Sequence, residues 1–206
     1  MMNFFYIVTP CSRVDNLKIL HNSIITTLGS DFLWFIVGDL SGSNIDQSIL
    51  SCPKTQIIQT ENSTFGNVQR NAGVEKIKLQ NKKDYWVHFL DDDNILHPEL
   101  NKHFDLFSSD FDVAVVSQCL KTGHPRRIQF EDYKNMEALK ENMKVGKVDM
   151  AQIFFRSSCI EDVHFKEKVY DADGVLAEQL CKKNYKFNFI KKYLCYYNYL
   201  SNYIIY

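Results

Sequence analysis

The sequence predicts an α/β fold with a mostly parallel central sheet flanked by helices. Apolar runs of strand length alternate with amphipathic stretches of helix length through the first half of the chain, which is typical of β-α-β units with right-handed crossovers. Most of these runs are apolar at nearly every position, which indicates strands that are buried on both faces. The chain has 206 residues, enough for a sizeable core, so we expect one domain over residues 1–206.

The first half of the chain supplies the clearest elements. A strand over Asn3–Thr9 is ended by Pro10, which cannot donate a hydrogen bond to a neighbouring strand. The helix that follows has apolar residues at spacings of three and four, with Ser12 as its candidate cap and Gly29 at its end. The remaining predicted strands are Leu33–Val37, Thr55–Gln59, Tyr85–Leu90 and Val113–Val116, and the predicted helices are Val14–Leu28, Thr64–Leu79 and Pro98–Phe107.

The second half is less regular. Its C-terminal run is rich in tyrosine, a residue that favours membrane interfaces and protein interfaces alike. Core strands together with a homodimer face are the favoured interpretation of this run, and a peripheral membrane contact is the alternative. The predicted elements are a weakly periodic helix over Glu131–Met143, a strand leading into a short helix over Lys147–Phe155, a turn at Tyr170–Gly174, a helix to about Lys183, and one or two strands from Tyr185 to Tyr206.

Composition narrows the function classes. A formal net charge of −1 gives no bulk attraction to nucleic acid or to an anionic membrane. The six cysteines show neither a C-x-x-C pair nor zinc-ligand spacing, which favours a reducing cytoplasm. The apolar opening Met1–Val8 lacks a basic leader and is interpreted as a strand, and no window approaches the roughly 20 apolar residues of a spanning helix. We therefore expect a cytoplasmic protein that binds no nucleic acid.

Aspartates stand at the ends of three predicted elements. Because open α/β sheets place ligands at the carboxyl ends of their strands, these acids are expected to converge on one rim. Three adjacent carboxylates repel one another, and a divalent cation that also binds a diphosphate is the simplest way to offset this repulsion. A solvated acidic turn that caps a helix is the alternative. The acids are Asp39 after the second strand, Asp91, Asp92 and Asp93 after Tyr85–Leu90, and Asp171 and Asp173 before the last helix.

Five fragments in this order carry a family resemblance. Over nearly its whole length the chain resembles the A-type nucleotide-sugar glycosyltransferases. Its overall layout is similar to that of the bacterial inverting glycosyltransferases of family two. Its motif sequences are similar to those of the inverting glucuronyltransferases. The resemblance implies a single Rossmann-like GT-A domain, with residues 1–118 binding the nucleotide sugar and residues 119–206 binding the acceptor. The fragments are Phe5–Arg13, Phe35–Asp39, Gln69–Gly73, Phe89–Asn94 and Val148–Ala151.

The resemblance implies a metal-assisted donor site. A Mn²⁺ or Mg²⁺ ion bridging the diphosphate stabilises the leaving group as a Lewis acid. Asp93 is the first choice for direct coordination, since hard oxygen ligands suit such ions. Asp91 is expected to face the ribose and is also a candidate metal ligand, while Asp92 is expected to act through water.

The same resemblance places further residues around the donor. Asp39 is expected to contact the base, and Thr9 and Pro10 to shape the base pocket, with a purely structural role as the alternative for that pair. Arg70 is expected to pair with phosphate or with a donor carboxylate, because its planar fork suits bidentate recognition. A surface salt bridge is an equally good interpretation of Arg70.

On the acceptor side, the resemblance points to Asp173 as the general base that takes the proton of the attacking hydroxyl. A plain helix N-cap is the alternative, since aspartate does that job well. Asp171 is the backup base. Asp149 resembles the sugar-contacting acid of the glucuronyltransferases, and an ordinary loop aspartate is its alternative.

The prediction is therefore an inverting glycosyltransferase that moves a sugar from a nucleotide sugar, with UDP favoured by resemblance, to a hydroxyl of a glycan or lipid-linked acceptor. Two other classes remain open. Phosphatases of the haloacid-dehalogenase type also carry an Asp-x-Asp at a strand end, but on the first strand, whereas at least three strands come before Asp91 here. A non-catalytic module that binds a nucleotide sugar or a metal ion is the second alternative.

Overall fold

The structure is a computed structural model that describes residues 3–61, 64–126 and 135–201. The strands are β1 Phe5–Pro10, β2 Phe32–Gly38, β3 Thr55–Gln59, β4 Trp86–Phe89, β5 Ile95–Leu96, β6 Val113–Cys119, β7 Pro125–Arg126, β8 Ile153–Arg156 and β9 Phe187–Tyr196. The helices are α1 Leu17–Leu28, α2 Gln47–Leu50, α3 Asn67–Lys78, α4 Met136–Glu141 and α5 Ala172–Cys181. Every strand that the sequence predicts in the first half is present. The order of these elements matches the predicted β-α-β alternation.

In the described part of the chain, nine strands form one mixed sheet in the order β3-β2-β1-β4-β8-β6-β9-β5, with β7 paired to β6. The first four strands run parallel to one another. Beyond β4 the direction changes, because β8 is antiparallel to both β4 and β6, while β6 and β9 run parallel. The α/β class with helices against a largely parallel sheet is confirmed, and the antiparallel β8 divides the sheet into a parallel half and a mixed half.

The core lies in two layers, one on each face of the sheet. On β4, Val87 and Phe89 point into the layer that α3, α4 and α5 cover. Trp86 and Leu90 point into the opposite layer, which α1 and α2 cover. This alternation makes every position of β4 buried, as expected for a strand inside a sheet with helices on both faces. Since β4 is fixed on both sides, the chain that leaves it at residue 90 has a well-defined starting position.

Three elements differ from the sequence predictions in ways that affect the site. Over Lys147–Phe155 the predicted order was wrong: a 3₁₀ turn at Met150–Gln152 comes first and β8 follows it. The cause is local, because Asp149 caps that turn and so fixes its start before the apolar strand begins. Helix α5 begins at Ala172 inside the predicted turn, and Asp173 therefore lies in its first turn.

The other differences are smaller. The helix predicted from Val14 begins as a 3₁₀ turn, and α1 follows it. Ser12 does not cap it, because its hydroxyl bonds to Asp92 instead. Gly29 ends α1 with a φ of 62°, as predicted. The segment Pro98–Phe107 forms two 3₁₀ turns in place of one helix.

Parts of two predictions lie outside the described residues. Residues 131–134 belong to the predicted helix of Glu131–Met143, of which α4 lies in the described part. Residues 202–206 belong to the predicted C-terminal strands, of which β9 is described. Within the ranges that the structure describes, none of the helices has the length and apolar character needed to traverse a lipid bilayer.

Candidate active site

Two adjoining cavities open at the carboxyl ends of β1 and β4. The first has a volume of about 450 Å³ and the second about 200 Å³. Asp93 lines the first cavity and Asp173 lines the second. The two volumes therefore form one continuous cleft that brings together acids from distant parts of the chain. The residues that line both are Phe65, Arg70, Asp91, Asp149 and Tyr197.

Asp92 holds the loop after β1 against the loop after β4. Its side chain is only 2% exposed, and its Oδ2 accepts hydrogen bonds from the backbone N–H groups of Ser12 and Arg13, both at 2.7 Å. Its Oδ1 accepts from the Nε of Arg13 at 2.7 Å. Charge-assisted bonds of this kind are among the strongest in proteins. Asp92 is thus fully engaged in fixing the wall of the first cavity.

Asp93 lies beside Asp92 but faces the first cavity. Its Oδ2 is 2.8 Å from Nη1 of Arg13, and its side chain is 13% exposed. Burial raises the pKa of Asp93, the positive charge of Arg13 opposes this rise, and the charges of Asp91 and Asp92 add to it. Burial together with the two neighbouring carboxylates therefore outweighs the effect of Arg13 on the pKa of Asp93.

Asp91 is held by a buried arginine from α3. Nη2 of Arg70 is 2.6 Å from Oδ1 of Asp91. Nη1 of Arg70 donates to the carbonyl oxygen of Phe65 at 2.8 Å and to Oδ1 of Asn67 at 3.1 Å. Arg70 is only 6% exposed, so the surface salt bridge that was one interpretation of this residue is not what the structure contains. It ties the start of α3 to the acidic loop.

Asp149 and Asp173 lie close enough to interact electrostatically with each other and with Arg70. Oδ1 of Asp149 accepts from Nε2 of Gln118 at 3.1 Å and from the N–H of Ala151 at 3.0 Å. Oδ2 of Asp173 accepts from the N–H of Met150 at 3.2 Å. Burial, followed by the charges of Asp173 and Asp91, raises the pKa of Asp149 to about 7.

The remaining predicted residues lie at different depths. Pro10 lines the first cavity and Asp171 lines the second. Thr9 is fully buried beneath Pro10, and its hydroxyl accepts a hydrogen bond from Nε1 of Trp34 at 2.9 Å. Asp39 is exposed at the end of β2, and its Oδ1 accepts from the hydroxyl of Ser41 at 2.6 Å. Neither Thr9 nor Asp39 is among the described residues that line the two cavities.

Sequence reasoning missed several residues of the cleft. Phe65 and Gly66 both have left-handed backbone conformations, with φ of 71° and 72°. A Cβ on Gly66 would lie 2.9 Å from Cβ of Pro10, so glycine is needed for the turn before α3 to pack against the end of β1. A glycine in the first turn of the predicted helix of Thr64–Leu79 was the available signal for this close approach. Nothing in the pattern indicated Phe65.

Tyr197 reaches the cleft because the C-terminal segment folds back over the acidic loop. The N–H of Asn198 donates to Oδ1 of Asn94 at 2.7 Å, and the N–H of Leu200 donates to the carbonyl oxygen of Asp93 at 2.9 Å. These contacts join residues about a hundred positions apart in sequence. Sequence analysis associated the tyrosine-rich run with a core or an interface and gave it no place in the site.

The charge of the cleft suits a divalent cation bound together with a polyanion. Among the described lining residues are six aspartates and two arginines. Both arginines already pair with members of Asp91–Asp93. Carboxylate oxygens are ligands that Mg²⁺ and Mn²⁺ accept, and Mg²⁺ usually takes one or two carboxylates and completes its shell with phosphate and water. No group of three His, Cys, Asp or Glu side chains in the described ranges forms a ready cage, so an ion here would share its ligands in that way.

Comparisons with known proteins support the fold. No family model matches the sequence, and no curated protein matches it significantly. Among solved structures, S. aureus TarS 1–349 in complex with UDP-GlcNAc superimposes with a TM-score of 0.67 at 16% identity, over 94% of this chain and 58% of that one. The same TarS fragment in complex with UDP gives a TM-score of 0.64 at 15% identity, over 94% of this chain and 60% of that one.

A second protein shares the fold. The mannosyltransferase PcManGT from Pyrobaculum calidifontis, in complex with GDP-Man and Mn²⁺, gives a TM-score of 0.63 at 11% identity, over 95% of this chain and 56% of that one. The chain thus spans 56–60% of these solved chains. At such identities the likeness is one of fold, and this chain has the α/β fold that TarS and the mannosyltransferase share.

Proposed function

We propose that this protein is a metal-dependent inverting glycosyltransferase that moves a sugar from a UDP-sugar to a hydroxyl group of an acceptor. The observation that carries the proposal is the shared cleft, in which Asp93 and Asp173 line adjoining cavities of one fold. Proteins with this fold have been solved with UDP-GlcNAc and with GDP-Man and Mn²⁺. The position at the carboxyl ends of parallel strands is where α/β proteins bind ligands.

The first cavity is proposed as the donor site. Its volume of about 450 Å³ falls in the range of roughly 300–1,000 Å³ that is usual for small-molecule and cofactor sites. Pro10 lies at one end, next to the β2 edge where Asp39 is proposed to meet the base. Asp91 and Asp93 would hold a Mn²⁺ or Mg²⁺ ion, which when bound supplies Lewis-acid stabilisation of the leaving diphosphate.

The two arginines of the donor site have complementary tasks. Arg70 and Arg13 keep Asp91 and Asp93 oriented before any donor arrives. Because Arg70 is buried and pinned by three acceptors, it provides a fixed positive charge at the point where the two cavities meet. We propose that this charge also faces a phosphate of the bound donor.

Asp173 is proposed as the general base. Inversion requires the acceptor hydroxyl to attack from the side opposite the diphosphate. Asp173 lines the second cavity, which adjoins the first and shares Arg70 and Asp149 with it. The N–H of Met150 fixes Oδ2 of Asp173. The first turn of α5 favours an ionised carboxylate there, because the helix dipole is positive at its N-terminus. An ionised Asp173 can receive the hydroxyl proton as the new bond forms.

Asp149 is proposed to contact the transferred sugar. It lines both cavities, so a sugar that passes from donor to acceptor must pass close to it. Since its pKa is raised to about 7, the carboxyl group is able to donate or to accept a hydrogen bond near neutral pH. Either form can bind a sugar hydroxyl.

The two alternatives fit less well. In phosphatases of the haloacid-dehalogenase type the paired aspartates follow the first strand, but here Asp91 follows β4. A non-catalytic binding module needs no carboxylate in the second cavity. Donor hydrolysis or sugar transfer that vanishes in Asp173→Asn while UDP binding persists would exclude that module.

A thermal-shift experiment tests the donor assignment. We expect at least one UDP-sugar to raise the melting temperature in the presence of Mn²⁺ and to have little effect without it, because binding to the folded state alone stabilises that state. The shift should disappear in Asp93→Ala and persist in the matched control Asp110→Ala, whose side chain is exposed and bonds only locally to Ser108. No shift from any nucleotide sugar in the presence of metal would contradict the proposal.

The stereochemical assignment has its own measurement. Slow donor hydrolysis can be followed by NMR, which reads the anomeric configuration of the first product. An inverted anomer is expected, and a retained one would exclude Asp173 as a base acting on an attacking hydroxyl.

A further inference from the structure

An exposed pair of aromatic rings stands at the mouth of the second cavity. Phe65 and Tyr170 meet edge to face, with ring centroids 5.2 Å apart and an interplanar angle of 82°. Phe65 is 43% exposed and Tyr170 is 76% exposed. Large aromatic side chains usually bury most of their surface, so two of them in contact and open to solvent at a cavity need an explanation.

The backbone at Phe65 is held in an unfavourable conformation. Its φ is 71° and its ψ is 4°, a left-handed conformation that is unfavourable for a residue with a bulky side chain. The conformation is fixed by Nη1 of Arg70, which bonds to the carbonyl oxygen of Phe65. Strain of this kind is concentrated at functional sites. Its effect here is to place the Phe65 ring beside Tyr170 at the junction of the two cavities.

The second cavity is small, has a tightly packed wall and is lined by acidic side chains. Its volume is about 200 Å³, well below that of the first. Helix α5 packs against the neighbouring segment so tightly that a Cβ on Gly174 would lie 2.3 Å from Cα of Val145. Among its described lining residues are four aspartates and one arginine, and that arginine is already paired with Asp91. An anionic group would be repelled from this cavity.

Together these features point to the class of acceptor. Sugar rings have one face of C–H groups, which packs on aromatic side chains, and a rim of hydroxyls, which bonds to carboxylates. We propose that Phe65 and Tyr170 form a platform for a neutral saccharide acceptor, whose ring packs on the aromatic pair while one hydroxyl points to Asp173. The inference rests on the proposed function, and it excludes acceptors that bear a phosphate or carboxylate on the ring that enters the second cavity.

Tyr170 is the residue to substitute. Its side chain is exposed, so the substitution should leave the fold intact, and it lines only the second cavity. The probes are the neutral disaccharides cellobiose, maltose, lactose and N,N′-diacetylchitobiose. Glucuronic acid and glucose 1-phosphate serve as anionic comparators. Saturation-transfer NMR is recorded on the full chain in the presence of UDP and Mg²⁺.

At least one neutral disaccharide should receive saturation on the C–H protons of one ring face. That signal should fall at least severalfold in Tyr170→Ala and be retained in Tyr170→Phe, which keeps the ring and removes only the hydroxyl. UDP affinity, measured in the same samples by titration, reports on the donor site independently.

Three results would overturn the platform: no saturation of any neutral disaccharide, equal saturation in wild type and Tyr170→Ala, or saturation of the anionic sugars alone. If UDP still binds in these cases, the donor assignment stands and only the acceptor inference fails. If UDP does not bind to the wild-type protein either, the proposed function fails as well.

Discussion

The acids of the cleft come from two regions that are built differently. In the loop after β4, Asp91, Asp92 and Asp93 each meet a guanidinium group. At the start of β8 and α5, Asp149 and Asp173 are held by an amide side chain and by backbone N–H groups.

This difference in partners shows how the acids of one cleft can serve two purposes. Arginines orient the first set, which is proposed to share a cation with a diphosphate. In the second set, burial, followed by the charges of Asp173 and Asp91, raises the pKa of Asp149. The carboxyl group of Asp149 is therefore able to release or take up a proton near neutral pH.

The largest expected effect comes from the second region. Asp173→Asn should lower the rate of sugar transfer by roughly 10²–10⁴-fold, because the variant cannot accept the hydroxyl proton. UDP affinity with Mn²⁺, measured by titration, should stay the same, since Asp173 lines only the second cavity. The matched control is Asp171→Asn, whose side chain is exposed and makes no capping bond. An equal loss in both variants would contradict the assignment of Asp173 as the base, and a loss in Asp171→Asn alone would reassign the base to Asp171.

Arg70→Met should give the largest loss of stability. Removing one partner of a buried ion pair costs about 3–5 kcal/mol, and we expect about 3 kcal/mol here because Asp91 keeps some contact with water, its side chain being 29% exposed. Urea unfolding measures the change. Lys102→Met removes an exposed pair with Glu99 and should cost under about 1 kcal/mol. A similar cost for both variants would show that Arg70 is not a buried anchor.

Substitutions of the neighbouring residues Asp92 and Asp93 are expected to have different effects on the free energy of unfolding. Asp92→Asn should lower the free energy of unfolding by about 1–3 kcal/mol, because charge-assisted bonds to the loop after β1 are weakened. Asp93→Asn should not lower it when metal is left out, because the raised pKa of Asp93 means that folding disfavours its ionised form. The measurement is urea unfolding in EDTA. Equal destabilisation by the two substitutions would show that Asp92 and Asp93 contribute alike to stability, contrary to the roles given to them here.

A separate expected effect is a pH dependence of the free energy of unfolding. The folded state raises the pKa of Asp149 from 3.8 to about 7, so between these values the folded state binds more protons than the unfolded state. Its contribution to stability therefore falls as the pH rises from about 4 to about 7, by at most about 1.4 kcal/mol per pH unit for one proton. Asp149→Asn removes this loss.

The measurement is the difference in unfolding free energy between Asp149→Asn and wild type as a function of pH. It should grow in favour of the variant from pH 4 to pH 7 and then level off. A difference that stays flat would mean that the folded state does not raise the pKa of Asp149.

Much of the donor side was predictable from the sequence, because there the signal is local. The strand that ends near Leu90 is a continuous apolar run, and Asp91–Asp93 follow it without a gap. A run of this kind fixes both the position of the strand in the sheet and the edge at which the acids emerge. The spacing could not tell which of the three carboxylates turns inward. That depended on Arg13 and Ser12, which come from a loop about eighty residues away.

The acceptor side was harder to predict for a related reason. Asp149 and Asp173 were named, but the order of the elements around Asp149 was wrong, because its capping of the turn at Met150–Gln152 was not recognised. The platform of Phe65 and Tyr170 depends on a left-handed backbone and on a contact between residues a hundred positions apart. Neither the left-handed backbone nor the long-range contact can be recognised from a short stretch of sequence.

The sequence by itself determined the α/β class and the acids that end its strands, because hydrophobic periodicity and strand-end composition are properties of neighbouring residues. Only the tertiary structure decided that the acids share one cleft, that arginines hold one group of them and neutral donors the other, and that the C-terminal segment closes over the acidic loop. Those outcomes depend on contacts between distant segments, whose geometry is set when the two layers pack on the sheet.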